Sequence, residues 1–208
     1  MASSIFDYNN SFWQWLSRLT DLFGLSLCWL LCSLPLLTIG AATTALYDGV
    51  YHGIRRGESP VYVRFFKTFV RELKTATLAT LPALGLGAVC LLLRQVTRTM
   101  AAGGDPVAGL LLYGYPVLFC LPLAVWLLAM ALLSRFDFRA GALLKTAARL
   151  TMARLPSAMA VAILTALAVR VMLWWYFSLA FLPALTALAA SLFVERIFRP
   201  WLEGQGEA

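Results

Sequence analysis

The chain has 208 residues, 61% hydrophobic and 13% charged, with a mean hydropathy of +0.79. Soluble domains run about 45–50% apolar and about 25% charged, so this composition excludes an ordinary water-soluble fold, and the length leaves no room for a soluble domain beside one helical bundle. The net charge of +7 lies between apolar runs, where cytoplasmic loops collect Lys and Arg, which argues against a nucleic-acid partner.

Residues 1–20 crowd Phe6, Tyr8, Phe12, Trp13 and Trp15 into a short polar stretch, a pattern suited to the lipid headgroup level. Ser11 and Gln14 have capping-box spacing, predicting a helix start near Ser11. The stretch carries Asp7 and a late Arg18 but no basic leader, so the expectation is that the first membrane helix serves as its own signal. Asp21, with Arg18 three residues before it on the same helical face, forms a candidate polar entrance, since a carboxylate at a membrane helix is a functional candidate.

From Leu22 to Gly40 no side chain is charged. As a helix this run covers roughly 29 Å, about the thickness of a hydrocarbon core. The first span is expected over 22–47, kinked at Pro35. Its far end turns small and hydroxylated. Thr38, Gly40, Thr43, Thr44 and Tyr47 form a candidate helix-packing or substrate patch, because small residues and hydroxyls favour close interhelical approach.

The first polar connection, 48–76, holds Arg64, Lys67, Arg71 and Lys74 at 3-4-3 spacing, on one helical face. This basic amphipathic stretch predicts a surface helix facing anionic lipid headgroups or a partner. His52 stands four residues after Asp48, close enough on a helix to touch it. Further spans are expected over 77–93, 107–133, 156–173 and 177–194. Between them lie the turn Gly103-Gly104-Asp105-Pro106 and a second basic connection, 134–155, that includes Lys145 and Arg149. Trp174, Trp175 and Tyr176 read as an aromatic belt. The pattern K-T-x-x-R occurs at Lys67–Arg71 and again at Lys145–Arg149, suggesting parallel repeats over 61–133 and 138–194, an arrangement also found in transporters.

The fold class expected is all-α: a polytopic membrane helix bundle of about five transmembrane helices, with short basic amphipathic helices on the cytoplasmic side. Thirteen of the seventeen Lys and Arg lie in the two basic connections and the tail. The positive-inside rule then places the C-terminus in the cytoplasm and, for five spans, the N-terminus outside. If the first span is a hairpin, the N-terminus moves inside and the rest stands. Cys28, Cys32, Cys90 and Cys120 lie in apolar runs without zinc spacing. No hydrolase, protease or paired-acid motif is present. No catalytic, metal or cofactor residue is assigned, and the expectation is a protein that is not an enzyme.

Several stretches together resemble a known family. These are Ile5-Phe6-Asp7-Tyr8 with Phe12, Asp21-Leu22 leading to Trp29-Leu30-Leu31-Cys32-Ser33-Leu34-Pro35, Thr38-Ile39-Gly40-Ala41 with Thr43-Thr44-Ala45-Leu46-Tyr47, and Phe65-Phe66-Lys67-Thr68-Phe69. Phe136 and Leu144-Lys145 follow more loosely. The chain resembles the YesL-like bacterial integral membrane proteins, a family of unknown function. The resemblance implies association with carbohydrate uptake, with sugar ABC transporter subunits as partners beside the lipid bilayer. Two readings stay open: an accessory component of such uptake, and a small-molecule or sugar carrier in its own right. A homo-oligomer also stays open.

Overall fold

The computed structural model describes residues 11–58, 60–104, 106–136 and 138–205. The aromatic opening with Phe6 and Tyr8 lies outside the described residues. Every regular element among them is helical: α1 Ser11–Cys32, α2 Ile39–Asp48, α3 Val61–Ala102, α4 Pro106–Leu133, α5 Ala140–Ala153, α6 Leu155–Trp174 and α7 Leu182–Gln205. Gly49–Arg55 continue α2 as a wider π-helix, and 3₁₀ turns cover Leu36–Thr38 and Tyr176–Ala180. Among the described residues three helices, α3, α4 and α6, are long and apolar enough to cross a membrane. The composition and these helices make the chain an integral membrane protein.

The segment expected as one first span divides into two helices. Pro35 adopts an extended conformation, φ −75° and ψ 115°, and a proline cannot supply the N–H the helix would need there. The carbonyls freed at the end of α1 find a donor in the chain itself. The Thr38 hydroxyl lies 2.6 Å from the Cys32 carbonyl and 2.8 Å from that of Pro35, which keeps the break satisfied without water. Beyond it, α2 runs back along α1. Trp29 Nε1 donates to Thr43 Oγ1 at 3.3 Å, and Leu25 packs against Gly49. Leu22, Leu25, Ala45, Leu46, Val50 and Ile54 share one apolar cluster. The result is a helical hairpin, so the Ser11 end of α1 and Arg55 lie at the same end of the bundle. Leu34, Leu36 and Leu37 at its tip are exposed.

α3 departs from expectation in the opposite sense. The basic stretch Val61–Lys74 does not form a separate surface helix; it is the first third of one 42-residue rod. Between Lys74 and Thr77 there is no glycine or proline to end a helix, and Thr77 Oγ1 donates back to the Leu73 carbonyl at 2.6 Å. At about 1.5 Å per residue the rod is roughly 63 Å long, about twice a hydrocarbon core. The second basic segment, by contrast, is separate from its span. α5 ends at Arg154, whose φ of −133° and ψ of 48° leave the helical region, and Pro156 sits in the first turn of α6, where its missing N–H costs nothing. The two K-T-x-x-R stretches also differ in setting: Thr68 is buried, Thr146 only half-buried.

α3 and α4 pair antiparallel through the Gly103-Gly104 turn, where Gly104 takes a φ of +92°. Near that turn Thr97 and Tyr115 share a hydrogen bond of 2.8 Å, while Leu91, Leu92, Leu110 and Tyr113 stay exposed on the outside. The packed core lies at the other end of the pair. Leu128, Met130, Leu132 and Leu133 of α4 meet Leu143 and Ala147 of α5 and Ala158 and Val161 of α6.

Small residues on α2 allow the closest approach. A side chain at Gly40 would collide with the Thr80 hydroxyl and stand 3.0 Å from the Ala76 carbonyl and 3.3 Å from Met130 Sδ. Neighbouring Thr44 is buried, its hydroxyl on the Gly40 carbonyl at 3.0 Å and against Met130 Sδ at 3.4 Å. Leucine at position 40 is therefore expected to cost about 1–3 kcal/mol through overpacking. It should appear as a lower melting temperature in detergent, and an unchanged melting temperature would contradict this packing.

Candidate functional site

The π-helical turn at 49–55 sets the geometry of the polar end. A helix this wide needs small residues where neighbours press on it. Gly49 faces Leu25, and a Cβ on Gly53 would stand 2.7 Å from Val61. The turn brings Asp48, Tyr51, His52 and Arg55 together at the end of the hairpin, beside the start of α3. Single-turn π segments are frequent at functional positions.

Asp48 is buried, 4% exposed, yet fully engaged. His52 Nδ1 lies 2.8 Å from its Oδ1, as the i,i+4 spacing predicts. Thr68 Oγ1 donates to its Oδ2 at 2.7 Å and Arg64 Nε reaches the same oxygen at 3.2 Å. The other side of the Arg64 guanidinium binds Glu58 at 2.7 Å. Arg64 and Thr68 stand one turn apart on α3, so one carboxylate fixes two successive turns of that helix to the hairpin. A buried carboxylate is stable only with such compensation.

A second network joins α2, α4 and α7. Glu195 Oε1 is bound by Arg135 Nη2 at 2.6 Å and faces Arg55 Nη1 at 3.5 Å. Arg55 Nη1 also donates to Ser191 Oγ at 3.2 Å. The Tyr51 ring lies under this group, with the Arg135 guanidinium 3.9 Å and that of Arg56 4.9 Å from its centroid. Both distances fall within cation–π range. Arg56 Nη2 further donates to the Tyr51 hydroxyl at 3.0 Å. Burial pushes Glu195 up, but hydrogen bonds from Arg135 and Tyr51 and the charges of Arg135 and Arg55 outweigh it and hold its carboxyl below the usual range.

Two cavities flank this region, Tyr51 lining one and Tyr47 the other, with the two rings stacked and their centroids 6.5 Å apart. The first is polar, about 850 Å³, and is lined by Asp48, Tyr51, His52, Arg56, Glu58, Arg64, Lys67, Thr68, Arg71, Ser134 and Arg135, with Pro60 and Val63 at its edge. The second is apolar, about 270 Å³, between α1, α2, α4, α6 and α7. Trp29, Thr43, Tyr47, Trp126, Met130, Thr165 and Pro183 are among its walls. Its threonines are occupied locally: Thr43 Oγ1 bonds the Ile39 carbonyl at 2.7 Å and Thr165 Oγ1 that of Val161 at 2.8 Å. The buried Tyr47 hydroxyl has no hydrogen-bond partner among the described residues.

The residues singled out in the sequence therefore separate. Arg64, Lys67 and Arg71 line the polar cavity together, whereas Lys74 does not. Lys145 and Arg149 are exposed on α5. The patch also divides: Thr38 closes the hairpin tip, Gly40 and Thr44 pack against α3 and α4, and Thr43 and Tyr47 face the apolar cavity. No ion pair joins Arg18 to Asp21 among the described residues; the Tyr62 hydroxyl beside them donates to the Thr20 carbonyl at 3.5 Å. Sequence reasoning missed Tyr51, Arg55, Arg56, Thr68, Arg135 and Glu195 as site residues. Thr68 lay inside the singled-out basic stretch, whereas Glu195 sits in α7 beside Arg196, Arg199 and Glu203 with nothing to set it apart.

A family model described as a protein of unknown function, DUF624, matches residues 22–92. The match covers the hairpin from Leu22 onward and most of α3, and so includes Asp48, His52, Arg56, Arg64, Lys67, Thr68 and Arg71 but not Arg135 or Glu195. No curated protein and no solved structure matches the chain.

Asp48→Ala removes the acceptor that buried Thr68 and the Nε of Arg64 share and is expected to destabilise the protein by about 1–3 kcal/mol, the usual cost of leaving a buried donor unsatisfied, read as a fall in melting temperature. Glu195, held low in the folded state, contributes stability that is complete above its unfolded value of 4.5 and is lost as pH falls through the lower folded value. A melting series from pH 7 to pH 3 should show a steeper acid loss for the unmodified protein than for Glu195→Gln. Parallel curves would refute the assignment.

Proposed function

We propose that this chain is a YesL-like multi-pass protein of the bacterial cell membrane and a non-enzymatic accessory component of carbohydrate uptake, with its basic end in the cytoplasm. The observation that carries the accessory reading is the interlocking of its polar groups. The Tyr51–Arg135–Glu195–Arg55 network ties three helices at one end, and Asp48 ties the hairpin to α3. A fixed polar face of this kind suits docking of a cytoplasmic or membrane partner. The apolar cavity offers few unengaged hydrogen-bond groups, and a sugar leaving water needs many. The link to carbohydrate uptake itself rests on the sequence resemblance alone.

The basic ends of the hairpin, α4 and α7 converge where Arg55, Arg135 and Glu195 meet. The positive-inside rule therefore supports a cytoplasmic position for this end. The hairpin carries the Ser11 end of α1 to the same side, so the proposed orientation has both termini inside, in place of an N-terminus outside.

The carrier reading has one observation in its favour: Tyr47 in the wall of the apolar cavity stacks on Tyr51 in the wall of the polar one. A pull-down from native membranes should recover subunits of a sugar ABC transporter. Sugar uptake by the protein alone in liposomes, with no such subunits recovered, would replace the accessory role by the carrier. Reporter fusions at the N-terminus and at residues 58, 103 and 208 should report cytoplasm at all but residue 103. An outside signal at the N-terminus would overturn the orientation.

A further inference from the structure

We propose that the polar cavity over Tyr51 is a binding site for a phosphate monoester. This goes beyond the accessory and carrier readings and depends on neither. The cavity, about 850 Å³, has the size of a small-molecule site. Its described lining carries five cationic side chains, Arg56, Arg64, Lys67, Arg71 and Arg135, against the carboxylates of Asp48 and Glu58. Those carboxylates are spent on the protein. Asp48 is buried under Thr68, His52 and Arg64, and Glu58 holds the outer nitrogen of Arg64. Two cations remain without a carboxylate among the described residues, Arg56 and Lys67.

Those two cations are differently suited to the task. Arg56 is held in place by the Tyr51 hydroxyl and ring, so its planar fork is oriented before a ligand arrives, which favours bidentate capture of phosphate oxygens. Lys67 is exposed and unrestrained, a mobile point charge able to close on a dianion. The lining is almost wholly polar, with Val63 and Pro60 the apolar exceptions. It fits a phosphorylated head and not an acyl chain. The shared chemistry is a doubly charged phosphate on a polar body, from a soluble phosphomonoester or from the headgroup of phosphatidic acid.

The test uses the full-length protein in a zwitterionic or neutral detergent, titrated with glycerol 3-phosphate in one arm and with short-chain phosphatidic acid in mixed micelles in the other. Binding is read by calorimetry and by the rise in melting temperature. Saturable binding is expected in at least one arm, and that arm identifies the source. Arg56→Gln and Lys67→Gln should each weaken it about tenfold or more, the usual worth of a charge-assisted hydrogen bond. Lys74→Gln and Lys145→Gln, outside the cavity, should leave it unchanged. Lys67 has no partner among the described residues, so Lys67→Gln keeps the test decisive even where Arg56→Gln fails to fold. The proposal is overturned by no binding in either arm, by binding indifferent to Lys67→Gln, or by an equal loss in Lys74→Gln, which would mean a diffuse charge effect on a basic surface.

Discussion

A carboxylate out of reach of water must be matched in place, and Asp48 is the group around which this structure is matched. It sits at the end of a hairpin made of apolar residues and glycines, elements that have little else to fix their angle against α3. Thr68 and Arg64 approach it from α3, and His52 from its own helix. Apolar packing tolerates sliding; a charged group with three directional partners does not. The hairpin thus meets the long helix in one register, and Gly40 and Thr44 then come against Ala76, Thr80 and Met130 at van der Waals distance.

The same end of the molecule gathers its remaining charge. Tyr51 lies beneath three guanidinium groups, those of Arg55, Arg56 and Arg135, and Glu195 neutralises Arg135 and Arg55 from α7. Cations brought this close repel unless an anion or an aromatic face intervenes, and both are supplied here by helices distant in sequence. The cost of concentrating basic residues is met without cancelling them all, which is why a polar cavity with an excess of positive charge persists beside a packed apolar core.

At the other end, α3 and α4 run on as a pair with little covering them. Their outer residues, such as Leu91, Leu92 and Leu110, are exposed, as befits helices whose surroundings are hydrocarbon. The molecule therefore has a polar, interlocked end and an apolar, lipid-exposed one. The polar cavity belongs to the interlocked end, and the apolar one lies within the bundle between α1, α2, α4, α6 and α7.

Helical class, membrane residence and the clustering of basic residues between apolar runs were legible in the residues, because hydropathy and charge are properties each side chain carries with it. Local geometry was legible where partners lie within a turn, as with Asp48 and His52. Pro35 marked a disturbance, but whether a chain kinks or reverses there depends on what each half packs against, and Trp29 on Thr43 decided for reversal. Thr68, Arg135 and Glu195 were ordinary residues in their own neighbourhoods. Their roles arise only when α3, α4 and α7 converge on the π-turn, since an ion pair between residues far apart in the chain has no signature along it. The sequence by itself settled that the basic stretch is helical and faces one way; only the tertiary structure decided that this face closes over a cavity instead of lying on a surface, because the orientation of a helix is set by the neighbours it packs against.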